Sequence, residues 1–197
     1  MRPPEDSVAL LRPASLDDRQ RTYDWLVASD ATPMMTGPPQ FPDHPIPTWE
    51  EFCTDYADRF FRPEGDGFGR LFVIRAEQRD IGCINYDGLD NWRGVAELDI
   101  WIGSSADWGR RWGSLAIREL SSRLLGHPAV EALIMRPSRR NSRAIAAYRK
   151  AGFAFYDPVL HQLPESVLST GLDYADAVVL VLQRSLAPGA FGAERSH

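Results

Sequence analysis

The stretch from Ala96 to Phe153 restricts the fold more than any other part of the chain. It opens on Ala96-Glu97-Leu98-Asp99-Ile100-Trp101-Ile102-Gly103, whose apolar–polar alternation is that of a half-buried strand. A turn follows, Trp108-Gly109-Arg110-Arg111-Trp112-Gly113-Ser114, and an apolar helix is predicted from Leu115 to about Leu125. A second apolar run, Val130 to Met135, leads to Asn141-Ser142-Arg143-Ala144-Ile145 and then to Tyr148-Arg149-Lys150-Ala151-Gly152-Phe153. Strand, glycine turn and helix in that order make a phosphate cradle. N–H groups converge at the helix N-terminus, where the macrodipole also favours an anion. Arg110 and Arg111 add charge-assisted donors suited to phosphate.

The flanking sequence reads as alternating strands and helices. Val8 to Arg12 is a predicted strand, and Ser15-Leu16-Asp17-Asp18 has capping-box spacing before a helix ending near Ser29. Residues 31–47 hold six prolines and one glycine and read as an irregular loop. Thr48, with Glu51 three residues later, opens a second helix whose apolar side is Trp49, Phe52, Cys53, Tyr56 and Phe60. Pro63 to Gly69 is a turn, Arg70 to Ala76 and Asp80 to Tyr86 an antiparallel hairpin, and Asp87 to Gly94 a further turn. Val95 to Ile102 alternates, with Ala96, Leu98, Ile100 and Ile102 on one face and Glu97, Asp99 and Trp101 on the other. A helix at 142–151, a strand starting at Phe153 and a last strand from Asp176 to Gln183 complete the pattern. Residues 1–185 are expected to form one domain, and 186–197 a mobile tail.

Composition narrows the function classes. The 197 residues suit one domain with a real core. The longest apolar run, Ala177 to Leu182, is too short to span a bilayer, and the N-terminus lacks an apolar signal core. Cys53 and Cys83 have neither metal nor redox spacing, which suits reduced thiols and a cytoplasmic location. His44, His127, His161 and His197 show no metal spacing either, so no metal is expected. The net charge of −5 argues against nucleic acid and suits a cationic ligand.

The Ala96–Phe153 arrangement resembles the GNAT superfamily of acetyl-CoA-dependent N-acetyltransferases. That family carries a Q/R-x-x-G-x-G/A turn, followed later by N-x-x-A-x-x-x-Y-x-x-x-G-F. The second motif matches at Asn141, Ala144, Tyr148, Gly152 and Phe153. In the turn, Trp108 stands at the Q/R position, Arg111 where the first glycine is usual, and Gly113 keeps the second. If the site needs a positive φ, Arg111 is strained there. The resemblance implies an α/β (α+β) single domain. Its central sheet is mixed and mostly antiparallel, is flanked by helices, and has two parallel strands splayed at the cofactor site. It implies acetyl-CoA as co-substrate, with the pyrophosphate on Gly109, Arg110, Arg111, Trp112, Gly113 and Ser114. The pantetheine arm would pair with the strand end at Ile100, Trp101 and Ile102, the amides of Trp101 and Ile102 being the expected donors. Asn141, Ala144 and Tyr148 would contact it from the other side, although Asn141 is also a natural helix N-cap.

Acetyl transfer to an amine needs a base, a polarised carbonyl and a proton for the departing thiolate. Tyr148 is the expected acid, by its position in the family motif. Glu97 and Asp99, on one strand face, are the candidate bases, with Asp99 preferred; Gly94-Val95-Ala96-Glu97-Leu98-Asp99 is similar to a run in aminoglycoside 6′-N-acetyltransferases. The alternative role for either residue is to hold the acceptor ammonium by charge. Trp49, Asp87 and Trp92 are expected near the acceptor, and Asp43, Asp90, Asp157 and Asp173 could line a polycation site. Arg139, Arg140 and Arg143 form a basic cluster within reach of a cofactor 3′-phosphate or on a solvated face. The expected acceptor is an aminoglycoside-type antibiotic, with resistance by drug modification. The alternatives are a protein N-terminus, as in ribosomal-protein acetyltransferases, or a non-catalytic CoA-binding module. Neither nucleic acid nor membrane is expected as a partner, and a homodimer is compatible with the sequence.

Overall fold

A computed structural model describes residues 10–62, 69–89, 92–169 and 173–184. Seven strands form one sheet in the order β1-β2-β3-β4-β5-β7-β6. They are β1 (Leu10–Pro13), β2 (Arg70–Ala76), β3 (Arg79–Asp87), β4 (Val95–Ile102), β5 (Ala132–Met135), β6 (Ala154–Phe155) and β7 (Leu180–Gln183). All neighbours are antiparallel except β4 and β5. The sheet is the expected mixed, mostly antiparallel one, flanked by α1 (Arg19–Val27), α2 (Trp49–Asp55), α3 (Trp112–Leu125), α4 (Ser142–Ala151) and α5 (Glu165–Ser169).

Strand alternation divides the core into two faces. Phe72, Ile74, Ile84, Ala96, Leu98 and Leu133 point to α3 and α4, where Ala116, Ile117, Leu120 and Leu124 form a stripe at helical spacing. Leu71, Val73, Cys83 and Trp101 point the other way and meet Phe52, Phe60 and Phe61. A third cluster joins Val95, Ala132, Ile134 and Val181 to Val167 of α5.

Local chemistry sets the helix ends. The Thr48 hydroxyl accepts from the Glu51 amide at 3.3 Å and the Glu51 carboxylate accepts from the Thr48 amide at 2.8 Å, the expected reciprocal cap. At Ser15 the expected capping box is present, with Asp18 accepting from the Ser15 amide at 2.9 Å, and a 3-10 turn, Leu16–Asp18, precedes α1. Asn141 Oδ1 caps α4 by accepting from the Ala144 amide at 3.0 Å. Gly152 closes it in the left-handed region, φ 109°.

Some boundaries differ from the sequence reading. Helix α3 starts at Trp112 rather than Leu115, so Gly113 and Ser114 belong to its first turn. The last strand is shorter than expected, because Asp176 is engaged by Ser138 and Arg140, and Ala177 makes only an isolated bridge. Helix α5 was not anticipated; five residues carry too few periodic positions to announce a helix. Val8, Ala9, the turn at 63–68, Asp90 and the tail 186–197 lie outside the described residues.

Candidate active site

β4 and β5 pair only at Val95–Ala132, Ala96–Leu133 and Glu97–Ile134, and β4 then runs on to Ile102 beside β3 alone. The far half of β4 therefore has a free edge. The Gly103 amide donates to Ile81 on the β3 side, so alternation turns Ile100 and Ile102 toward the gap and Trp101 toward β3. The Trp101 carbonyl lies 2.2 Å from where a Cβ on Gly82 would sit, in keeping with that direction. This corrects the expectation for the Trp101 amide. The Ile102 carbonyl accepts from the Trp108 indole at 2.9 Å, so Trp108 braces the end of the gap.

A cavity of about 250 Å³ fills this gap, floored by the start of α3. Gly109 (φ 73°) and Arg111 (φ 72°) are both left-handed, and Arg111 is the N-cap of α3. The positive φ suspected at Arg111 is real, and a non-glycine residue bears it. The first-turn amides of Trp112, Gly113 and Ser114 have no carbonyl one turn back to serve, which leaves an anion-binding end. A Cβ on Gly113 would lie 3.5 Å from Ile102 Cδ1 and 3.9 Å from Ile100 Cδ1, so a longer side chain would enter the cavity. Arg111 and Arg143 line the cavity. The Arg143 guanidinium lies 3.4 Å from the centroid of the Trp108 ring, and burial lowers its pKa. Arg110 is exposed and does not line the cavity, and Arg140 is tied to Asp43 and Asp176.

A second cavity, of about 210 Å³, adjoins the first. Met35, Ile100, Trp101, Asn141 and Tyr148 border both. Its walls include Asp55, Asp99, Asp173, Tyr56, Tyr174 and His44. Asn141 caps α4 and also donates to the Met34 carbonyl at 2.9 Å, fixing the loop between the two cavities. Tyr174 donates to the Met35 carbonyl at 2.9 Å on the same loop.

The two candidate carboxylates have separate environments. Glu97 accepts from Arg136 through both oxygens, one contact at 2.8 Å, and borders neither cavity. Burial raises its pKa and Arg136 opposes the rise. Asp99 lines the second cavity, and burial pushes it up to about 8, with further upward pressure from Glu97 and Asp173. Arg136 and a hydrogen bond from Asn85 act in the opposite direction. Asp55 is raised as well, by burial and then by Asp173. The Tyr148 phenol is pushed up by burial first and by Asp99 second, so it keeps its proton at neutral pH.

The remaining expected acceptor residues do not converge here. Trp49 packs on Tyr23 and Phe52, Asp87 pairs with Arg59 at 3.2 Å, and Trp92 lies under Arg136 in the third cluster. None of the three lines either cavity. Asp43 is held by Arg140 and Asp157 by its own turn, which leaves Asp173 of the acidic loop residues. Sequence reasoning missed Asp55, Tyr56, Tyr174, Asn85 and Arg136. The Asn85–Asp99 pairing alone was accessible, through hairpin register. Among the described residues no group of His, Cys, Asp or Glu could hold a metal ion, and no helix is long and apolar enough to cross a membrane.

Comparison with known proteins agrees with the fold. The profile of the acetyltransferase (GNAT) domain matches residues 9–154. No curated protein sequence matches the chain. Among solved structures, AAC(6')-Ib in complex with Parmomycin and acetyl-CoA is similar at 21% identity and a TM-score of 0.66, over 90% of this chain and 94% of that one. The spermidine N-acetyltransferase of Vibrio cholerae, with CoA and spermine, is 14% identical at a TM-score of 0.62, over 90% and 96%. The Microcin C7 self immunity acetyltransferase MccE, with acetyl-CoA and AMP, is 13% identical at 0.60, over 90% and 93%.

Proposed function

Since the chain belongs to the GNAT acetyltransferase family, we propose that it moves the acetyl group of acetyl-CoA to a primary amine of a small polycationic acceptor, of which an aminoglycoside-type antibiotic is the best fit. The observation that carries this reading is the pair of adjoining cavities, with Asp99 in one and Tyr148 on their common border.

The first cavity suits the cofactor. Its anion-binding end at Gly109–Ser114, with Arg111 and Arg143 beside it, would take the phosphates, and the free edge at Ile100 and Ile102 would pair with the pantetheine arm. Ala144 and Asn141 would line that arm from α4. When bound, acetyl-CoA supplies the thioester that an amine can attack. Asp99 takes the proton of the acceptor ammonium, and a group that titrates near neutrality suits that task. Tyr148 holds a proton at the border of the cavities, where a departing thiolate would need one. Glu97 is not the base in this scheme, because Arg136 occupies both of its oxygens.

Asp55 and Asp173 give the acceptor cavity more negative charge than one amine requires. A protein N-terminus brings a single ammonium, whereas an aminosugar brings several, together with ring faces that suit Tyr56 and Tyr174. Mass analysis of products from acetyl-CoA with separate aminoglycosides, linear polyamines and N-terminal peptides tests this. Acetylated aminoglycoside is the expected product. Acetylation confined to polyamines would move the acceptor to that class, and acetylation confined to peptides would discard the polycation reading.

A further inference from the structure

We propose that Asn85 is the positioning residue for Asp99, holding its carboxyl at the acceptor cavity in both the charged and the neutral state. This rests on the reading of Asp99 as the base.

The β3–β4 register sets Asn85 directly opposite Asp99, so the two side chains share one face as cross-strand neighbours. Asn85 is only 2% exposed, in a strand whose neighbours are Cys83, Ile84 and Tyr86. A buried amide in apolar surroundings is costly unless it is hydrogen-bonded. The register brings its side-chain amide beside the Asp99 carboxylate, while its Oδ1 has no hydrogen-bond partner. That orphan acceptor is what the neutral state of Asp99 calls for. A carboxylate only accepts, whereas a carboxylic acid must also donate. During turnover the acceptor's N–H bond breaks, its electron pair stays on nitrogen, and an O–H bond forms on Asp99. Rotation of the Asn85 amide by about half a turn then presents Oδ1 to that new hydrogen. One residue thus keeps Asp99 in place before and after the proton moves.

Asp99 is also faced by Glu97 on its own strand, by Arg136 beyond β5, by Cys83 on β3 and by Tyr148 on α4. Tyr56 after α2, and Asp173 and Tyr174 ahead of β7, complete the groups that sense its charge. Asp55 and His44 line the same cavity. Across the β3–β4 ladder the residue opposite Asp99 is Asn85, whose amide carries both a donor and an acceptor.

The test is a titration of the Asp99 carboxyl carbon by NMR in protein labelled at aspartate, alongside the pH profile of kcat/KM. Asn85→Leu fills the space without either polar atom. Losing a hydrogen bond to a charged group should raise the Asp99 titration by about one to two pH units. The rising limb of the rate should move by the same amount, with activity recovering above it. Asn85→Asp, nearly isosteric, should give a two-step titration shared by the pair; it serves as the second variant if the leucine chain folds poorly. An unmoved titration, or a loss of rate equal at every pH, would overturn the proposal. Full activity in Asp99→Asn would instead remove the base reading, and the NMR shift would still report on the Asn85 bond.

Discussion

Asp99 should make this protein less stable as pH rises, and Asp99→Asn should abolish that trend. The group's pKa goes from 3.8 in an open chain to about 8 in the fold. Below about pH 4 both states hold the proton and Asp99 contributes no difference. Between the two values the folded protein holds a proton that the unfolded chain has released, so stability falls with increasing pH. Each pH unit is worth about 1.4 kcal/mol for one proton, which over this interval approaches about 6 kcal/mol as a ceiling. Relaxation around the buried charge would reduce the total to a few kcal/mol. Asparagine has nearly the same shape, keeps a donor and an acceptor, and binds no proton. Urea unfolding of both proteins between about pH 5 and pH 8 gives the comparison. The wild type should lose about 1 kcal/mol per pH unit relative to Asp99→Asn, and the variant should be the more stable protein at pH 8. Parallel stability curves would refute the argument, because they would mean that Asp99 is ionised in the fold throughout.

Tyr148→Phe should lower kcat by about 10²–10⁴-fold with little change in cofactor affinity, measured by rapid mixing under conditions where chemistry limits the rate. Gly113→Asp should remove acetyl-CoA binding by calorimetry while the melting curve stays cooperative, because the carboxylate enters the cavity beside Ile100 and Ile102. Arg136→Met should destabilise the fold by about 3–5 kcal/mol in denaturant near neutral pH, since Glu97 is left buried without its cation. The loss should shrink at low pH, where Glu97 takes up a proton.

Elements governed by local chemistry were legible in the sequence. The motif from Asn141 to Phe153 announced an Asn141-capped helix over residues 142–151, and its cap and both its ends stand there in the fold. Alternation in β4 separated the α3-facing residues from Glu97, Asp99 and Trp101. Other features depend on contacts distant in sequence. Asp55 and Asp173 are 118 positions apart by number, and only the folded chain brings both to one cavity. The choice between Glu97 and Asp99 turned on Arg136, which is 39 residues from Glu97 and carries no mark of its role. Trp49 and Trp92 lay near loops, as the sequence suggested, yet their rings found apolar and cationic neighbours away from the site. The direction of the Trp101 amide was missed because it depends on the pairing with β3 rather than on side-chain type.

The pH dependence of kcat/KM for wild type and Asp99→Asn, with one amine at fixed ionic strength, tests proton removal by Asp99 most directly. The wild-type rate should rise through about pH 8. In Asp99→Asn the rate should fall by about 10²-fold or more near neutrality, and that limb should vanish, leaving only the ionisation of the amine itself. A variant with the wild-type rate and the same rising limb would contradict the assignment.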